Sequence, residues 1–480
     1  MNKLKQSKAH YARRNTPDRE ANARSMSANN DLPNGTSGRP GEHSDERTPL
    51  VSTVGSRLGN LARTTTPDGG SKPIWEDNRA WVRYPMKTLH ITWQVLASNY
   101  VNVLLVFVPA GIILGALGID PTAVFVVNFL AIIPLAALLS FATEELSVKL
   151  GQTIGGLMNA TFGNAVELIV SIVALRKGEI RIVQSSMLGS ILSNILLVLG
   201  CCFIAGGLRH SEQSFNETVA STMSSLMAVA SASLIIPATL YAVLASSKDN
   251  SEDNILVLSH GTAIILLLLY VLYLIFQLKT HAKLFDAESG ADGEGEEGEQ
   301  QQPEEPEVLT PVAAGVALVL ITLLVAVCAE YLVDSIDAIV QTAHISKTFI
   351  GLVLLPIVGN AAEHVTACVV AYKNKMDLAI GVAIGSSMQI ALFVTPFLVI
   401  LGWIIGQPMT LHFQTFETVV FFLSVLVVNY LIQDGKSNYL EGAMCLGTYI
   451  IIALAFYVYP DDAGGVGAGV LGGVKALFVR

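Results

Sequence analysis

A Gly-Asn-Ala-Val-Glu-Leu sequence at residues 163–168 returns 196 residues later as Gly-Asn-Ala-Ala-Glu-His at residues 359–364. Both copies lie inside long apolar runs. An ionisable side chain is costly there unless it faces a polar cavity or a bound ion. The same separation persists further along: Gly189-Ser190 meets Gly385-Ser386, and Ser193 meets Gln389. Two pairs of matched segments at one fixed spacing point to an internally duplicated membrane chain.

The chain has 480 residues, 52% of them hydrophobic and 14% charged. That is too apolar for an ordinary soluble domain and supplies many stretches long enough to cross lipid. Residues 1–74 are different. Ser, Thr, Asn, Gly and Pro dominate them, so they cannot bury enough surface to offset their ordering and read as a disordered tail. No apolar core follows the early basic residues, which excludes a cleaved secretory signal, although a mitochondrial address is a competing reading. All five cysteines lie in apolar segments and act as small hydrophobes. Neither a disulfide framework nor a zinc site is expected.

Apolar windows fall at 102–118, 122–140, 153–175, 181–206, 216–243, 258–278, 311–333, 346–372, 377–402, 415–433 and 440–458. The fold expected is therefore an all-α polytopic membrane protein with eleven transmembrane helices. Two inverted five-helix repeats, at 122–283 and 311–460, follow an extra first helix. Five is odd, so adjacent repeats enter the membrane in opposite directions. Residues 75–121 form an interfacial lead-in, with Trp81 and several basic residues, and the first span. Residues 284–310 read as a solvated acidic linker, with ten acids and no basic residue between 284 and 307. A cation-attracting regulatory surface is the competing reading. Residues 461–480 read as a flexible Gly-rich tail.

Lys72, Arg79, Arg83 and Lys87 precede the first span and favour a cytosolic N-terminus. Arg176, Lys177 and Arg181 then fall on the far side, against the rule, and nothing in the sequence accounts for them. In this topology the Asn-x-Ser/Thr triplets at Asn34, Asn159 and Asn216 carry no sugar.

Gly151, Gly155, Asn159, Gly163, Glu167 and Ser171 recur every four residues, a slowly winding helical stripe of small or polar groups. Gly351, Gly359 and Glu363 sit on the matching stripe. Small residues let neighbouring backbones approach. Pro356 weakens the second stripe's helix ahead of its Gly-Asn step, so a break is expected there and less so in the first copy, which has no proline.

Glu167 and Glu363 are the central candidates for binding a metal or protons. Asn164 and Asn360 add amide oxygens three residues before each acid. This oxygen-only set suits a hard divalent cation, and calcium tolerates irregular geometry better than magnesium. Two neighbouring carboxylates repel until protons or a divalent ion neutralise them, so protons and metal compete for one site. That is the minimum chemistry of exchange; a pair of acids that merely holds helices together is the competing reading. Glu144 and Glu330 occupy similar places in the two halves and are assigned to an access path or proton relay, against a plain membrane-edge charge. Ser190, Ser193, Ser386 and Gln389 are candidates to line the cavity, although serine also satisfies carbonyls of its own helix. His364 stands where the first copy has Leu168 and serves selectivity, proton movement or packing.

With the residues quoted at 163–168 and 359–364, and the accompanying GSILSNILLVLG from Gly189 and GSSMQIALFVTP from Gly385, the chain resembles the cation/proton exchanger family. More narrowly, it is similar to the vacuolar calcium/proton exchangers of fungi and plants. The resemblance covers roughly residues 75–460. It implies a secondary transporter rather than an enzyme, with no cofactor, that moves cytosolic calcium into an acidic vacuole in exchange for protons. Glu167 and Glu363 would form the alternating centre and Glu144 and Glu330 the access route, with manganese as a further cargo in some members. The partners implied are calcium ions, protons and the lipid membrane, with no nucleic acid. A sodium-coupled calcium exchanger is the alternative, but the two motifs lack the extra Asp that sodium sites would call for. A divalent-cation channel is another, but no uninterrupted filter-like loop is present. A purely structural scaffold gives no reason to bury two acids at matched positions.

Overall fold

The computed structural model describes residues 63–65, 71–73, 100–244, 251–282, 284 and 309–459. The expected N-terminal tail, most of the interfacial lead-in, nearly all of the acidic linker and the Gly-rich C-terminal tail lie outside them. The chain divides into Met1–Arg63 and Thr64–Arg480, and the second unit carries every helix described below.

The helices, in chain order, are α1 (Phe107–Leu117), α2 (Pro121–Leu150), α3 (Gln152–Phe162), α4 (Ala165–Arg176), α5 (Ile180–Gly207), α6 (Glu217–Leu244) and α7 (Ser251–Ile275). They continue with α8 (Pro311–Asp334), α9 (Ile336–Ala343), α10 (Lys347–Gly359), α11 (Ala361–Tyr372), α12 (Met376–Ile405), α13 (Thr415–Leu431) and α14 (Tyr439–Val458). Every apolar window named above is helical. Among the described residues seven helices are long and apolar enough to cross a membrane: α2, α5, α6, α7, α8, α12 and α14. The two windows that carry the motifs fail that length test because each is broken at its Gly-Asn step. The amphipathic α9 bends by 116° into α10.

The two helices that open the halves, α2 and α8, start alike. Asp120 accepts a hydrogen bond from the Ala123 amide and Thr310 from the Ala313 amide, each with proline as the first helical residue. The cap satisfies an orphan donor and proline's missing N–H costs nothing there. These two helices pack on each other, while Val312, Val316, Val319, Leu320 and Leu323 turn an apolar stripe of α8 outward. Such a stripe suits lipid, which needs no burial of leucine or valine.

The centre is built by α5 and α12. The apolar window of α5 is 83% buried, against 28% for α8, so α5 is a core element and α8 a peripheral one. Glycine sets the close approaches. A Cβ on Gly189 of α5 would lie within 2.6 Å of Leu352 backbone atoms, and one on Gly442 of α14 would lie 2.7 Å from the Gly200 carbonyl. The matched residue Gly385 of α12 has open space at that place, with nothing within 4 Å.

Both central helices widen into π turns, at Ser193–Val198 and Ile390–Val394, as α10 does at Ile350–Leu354. The last two end two residues before Pro396 and Pro356. A π turn relieves the clash of the ring with the preceding carbonyl.

The three basic residues that the topology left unexplained each meet an acid. Arg176 reaches Glu330 at 3.2 Å, Lys177 pairs with Asp334, and Arg181 reaches Glu417 at 2.6 Å. Glu417 is fully buried and also accepts from the Gln414 amide at the start of α13. At the opposite ends of the helices a short ribbon pairs Gln213–Ser214 with Lys436–Ser437. There the side chain of Asn216 caps α6 by accepting from the amides of Thr218 and Val219.

Candidate cation-binding site

The two motifs break their helices in the same way. Between α3 and α4, Asn164 takes φ −102°, ψ 26°; between α10 and α11, Asn360 takes φ −93°, ψ 3°. The first break therefore needs no proline, contrary to the weaker expectation for that half. The Gly-Asn step sets it, and Pro356 sits four residues earlier beside the π turn. Each asparagine carbonyl still accepts the first hydrogen bond of the following helix, from Leu168 and from His364, so Glu167 and Glu363 both project from a helix's first turn. The partial positive charge of a helix N-terminus favours an anion there.

The breaks cross each other reciprocally. A Cβ on Gly359 would lie 2.7 Å from Glu167 Oε1, and one on Gly163 would lie 3.8 Å from Glu363 Oε1. Each glutamate thus rests against the glycine of the other motif, and the two carboxylates interact electrostatically. Glu167 is 7% exposed and Glu363 half-buried. Glu167 Oε1, Glu363 Oε2 and Asn360 Nδ2 are buried without a hydrogen-bond partner. Unpaired buried carboxylate oxygens are expensive, and a proton, a cation or a donating water would satisfy them.

A polar web holds the first motif in register. Asn164 donates to Gln389 Oε1 at 2.7 Å and accepts from Ser386 Oγ at 2.8 Å; Ser386 in turn accepts from Asn194 at 3.1 Å. Ser386 also reaches Glu363. Ser193 Oγ lies 3.4 Å from His364 Nε2. Ser193, Ser386, Gln389 and His364 therefore gather around the two breaks, which Asn164 and Asn360 form, and Ser190 lines a cavity with Glu167. Asn194 was missed by the sequence reading, although a second polar residue directly after Ser193 in an apolar run was the available signal.

The two acids line different cavities. Glu363 lines an open one of about 430 Å³, together with Glu144, Asn159, Gln277, Ser386 and Gln389. Glu167 lines a small internal one of about 20 Å³, walled by Ile132, Val166, Val170, Leu355 and Val358. Glu144 thus lines the same cavity as Glu363. Glu330 lines neither of these two cavities; it is half-exposed at the end of α8, in the ion pairs with Arg176 and Lys177. Among the described residues no group of three or more His, Cys, Asp or Glu is placed to hold a metal ion, so a cation at the centre would draw on two carboxylates plus amide and hydroxyl oxygens. Such a set is hard and weakly selective in geometry.

Comparison with known proteins agrees with this build. The chain aligns over 376 residues with the vacuolar calcium ion transporter of Schizosaccharomyces pombe at 53% identity, covering 78% of this chain and 89% of the relative. A Ca(2+)/H(+) antiporter of Aphanothece halophytica is 44% identical over 362 residues, 74% of this chain and 96% of that one. Among solved structures, the selenium-substituted Ca2+/H+ antiporter protein YfkE superposes with a TM-score of 0.61 at 36% identity, covering 74% of this chain and 99% of YfkE. The sodium/calcium exchanger protein family matches residues 121–279 and 313–458, and with the glutamates of both stretches meeting at one crossing, the chain belongs to that family.

Proposed function

We propose that the protein is a secondary active antiporter of a vacuolar membrane that exchanges cytosolic Ca2+ for protons by alternating access. The observation that carries the reading is the reciprocal crossing: two glutamates, each against the other motif's glycine, each with a buried unpartnered oxygen, and lining different cavities. Calcium bound between Glu167 and Glu363, with oxygens from Asn164 and Asn360, leaves when protons take its place. Two protons for one calcium would be electroneutral. Manganese has the same preference for oxygen donors and is a second cargo.

In this reading eleven spans form two inverted five-helix repeats behind one extra helix, and the N-terminus and acidic linker are cytosolic. The broken helices α3–α4 and α10–α11 each count as one span. The open cavity lies among the ends of α2 and α7, next to the point where the linker departs, so it faces the cytosol. Glu144 gathers cations at that mouth. Glu330 serves the opposite mouth, where its pairing with Arg176 and Lys177 regulates access. Ser190, Ser193, Ser386, Gln389 and His364 complete the lining.

Glu167→Gln keeps the side chain's size and removes its charge. It should abolish calcium uptake driven by an imposed pH gradient in sealed vesicles while the protein still accumulates in the membrane. Normal uptake by this variant would refute the assignment, and uptake driven by a sodium gradient instead of a pH gradient would select the sodium-coupled alternative.

A further inference from the structure

Most serine and threonine hydroxyls in these helices turn back to their own backbone. Thr143 donates to the Leu139 carbonyl, Ser185 to Arg181, Ser387 to Ala383 and Ser424 to Val420. Ser171, one turn after Glu167 on α4, does not. Its residue is 1% exposed, yet its Oγ has no partner. That leaves a donor and acceptor unsatisfied in a helix that offers the usual carbonyl four residues back.

The explanation lies in what Ser171 faces. It lines the small internal cavity of about 20 Å³ together with Glu167, whose Oε1 is the other unpartnered buried atom there. Ser186, also in the wall, is already satisfied by the Val183 carbonyl, and Ser190 adds a further hydroxyl. A cavity needs only about 10–15 Å³ and two to four polar partners to hold one water. The volume suffices for one water, Glu167, Ser171 and Ser190 bring the polar groups around it, and the remaining walls are mostly apolar. The second motif has no such device: the residue matched to Ser171 at the 196-residue spacing is Ala367, fully buried in α11.

We propose that this cavity is a single-water site, in which a water accepts from Ser171 Oγ and donates to Glu167 Oε1, making Ser171 a positioning residue for that carboxylate. The inference rests on the antiport reading only in taking Glu167 to hold the cation. The water fixes the rotamer of Glu167 against Gly359, so the first carboxylate is pre-oriented for calcium while Glu363 faces the open cavity. The two acids are chemically unlike despite their matched sequences.

The test is direct binding of calcium to the purified protein, measured with radioactive Ca2+, alongside uptake kinetics in vesicles. Ser171→Ala should raise the dissociation constant five- to ten-fold and raise KM in step, with Vmax within two-fold of wild type. Ser171→Thr keeps the hydroxyl and should recover most of the affinity. If Ser171→Ala does not accumulate, Ser171→Cys, close in size and a poor donor, carries the same expectation. An unchanged dissociation constant in Ser171→Ala, or equal impairment of the Ala and Thr variants, would overturn the proposal, since the latter is the signature of packing. Absence of pH-driven uptake in the wild-type protein would sink the antiport reading instead, and the binding measurement would still decide the role of Ser171.

Discussion

Gly359→Ala is the sharpest probe of the crossing. An added Cβ would stand 2.7 Å from Glu167 Oε1, whereas ordinary contact begins at 3.4 Å, so something must yield by 3.4 − 2.7 = 0.7 Å. The backbone of α10 is held between the π turn and the Asn360 break, and the carboxylate is the softer partner. Misplacement of a binding group by about 1 Å costs on the order of 100-fold, so a shift of this size should reduce pH-driven calcium uptake by about 10- to 100-fold. Gly447→Ala is the control, because a Cβ there meets nothing within 4 Å. Both variants should accumulate and elute as folded protein, with uptake lost only in Gly359→Ala. Uptake by Gly359→Ala within two-fold of wild type would refute the argument that this glycine exists to admit the Glu167 carboxylate.

Arg181→Ala strands the fully buried Glu417, which Arg181 grips with both guanidinium nitrogens at 2.6 and 3.4 Å. Removing one partner of a buried pair costs about 3 kcal/mol, so the thermal midpoint in detergent should fall clearly, and by less in Glu417→Gln; an unchanged midpoint in Arg181→Ala would refute the ion pair's role. His412, in the loop between α12 and α13, has its pKa held below the usual 6.5 by burial and then by Arg181, partly offset by Glu417. The unfolded chain therefore binds more protons than the folded one as pH falls below about 6.5, and stability is lost on that side. His412→Gln should show a smaller fall in thermal midpoint between pH 7.5 and 5.5, and an identical fall would contradict the assignment.

The duplicated Gly-Asn-Ala-x-Glu core was legible because burying an acid is so costly that two matched occurrences demand a shared purpose. The helix breaks were half legible. Proline advertised one, but the asparagine that makes both has no strong preference readable in isolation. Which glycine faces which acid was not legible, since Gly359 meets Glu167 only through the crossing of elements almost 200 residues apart. The same holds for Arg176, Lys177 and Arg181, whose acids come from α8 and α13. Ser171 was visible as part of a stripe, but its idle hydroxyl depends on a cavity that no spacing rule describes. Glu330 and Glu144 looked equivalent in sequence, and only packing separates a residue on the open cavity from one clasped by two cations.

Gly189 and Gly385 occupy matched positions, yet one is pressed against the Leu352 backbone and the other faces a void. Stepping back 196 residues from Leu352 gives Gly156, which stands to Gly385 as Leu352 stands to Gly189. A mirror arrangement is thus available from the same chemistry, with the seam around Gly156 zipped and the seam around Leu352 parted. The contact at Leu352 is made by backbone atoms, which every residue carries, so the change from Leu352 to Gly156 does not by itself forbid the mirror contact. Bulk added at Gly189 and bulk added at Gly385 should accordingly jam the molecule facing opposite ways.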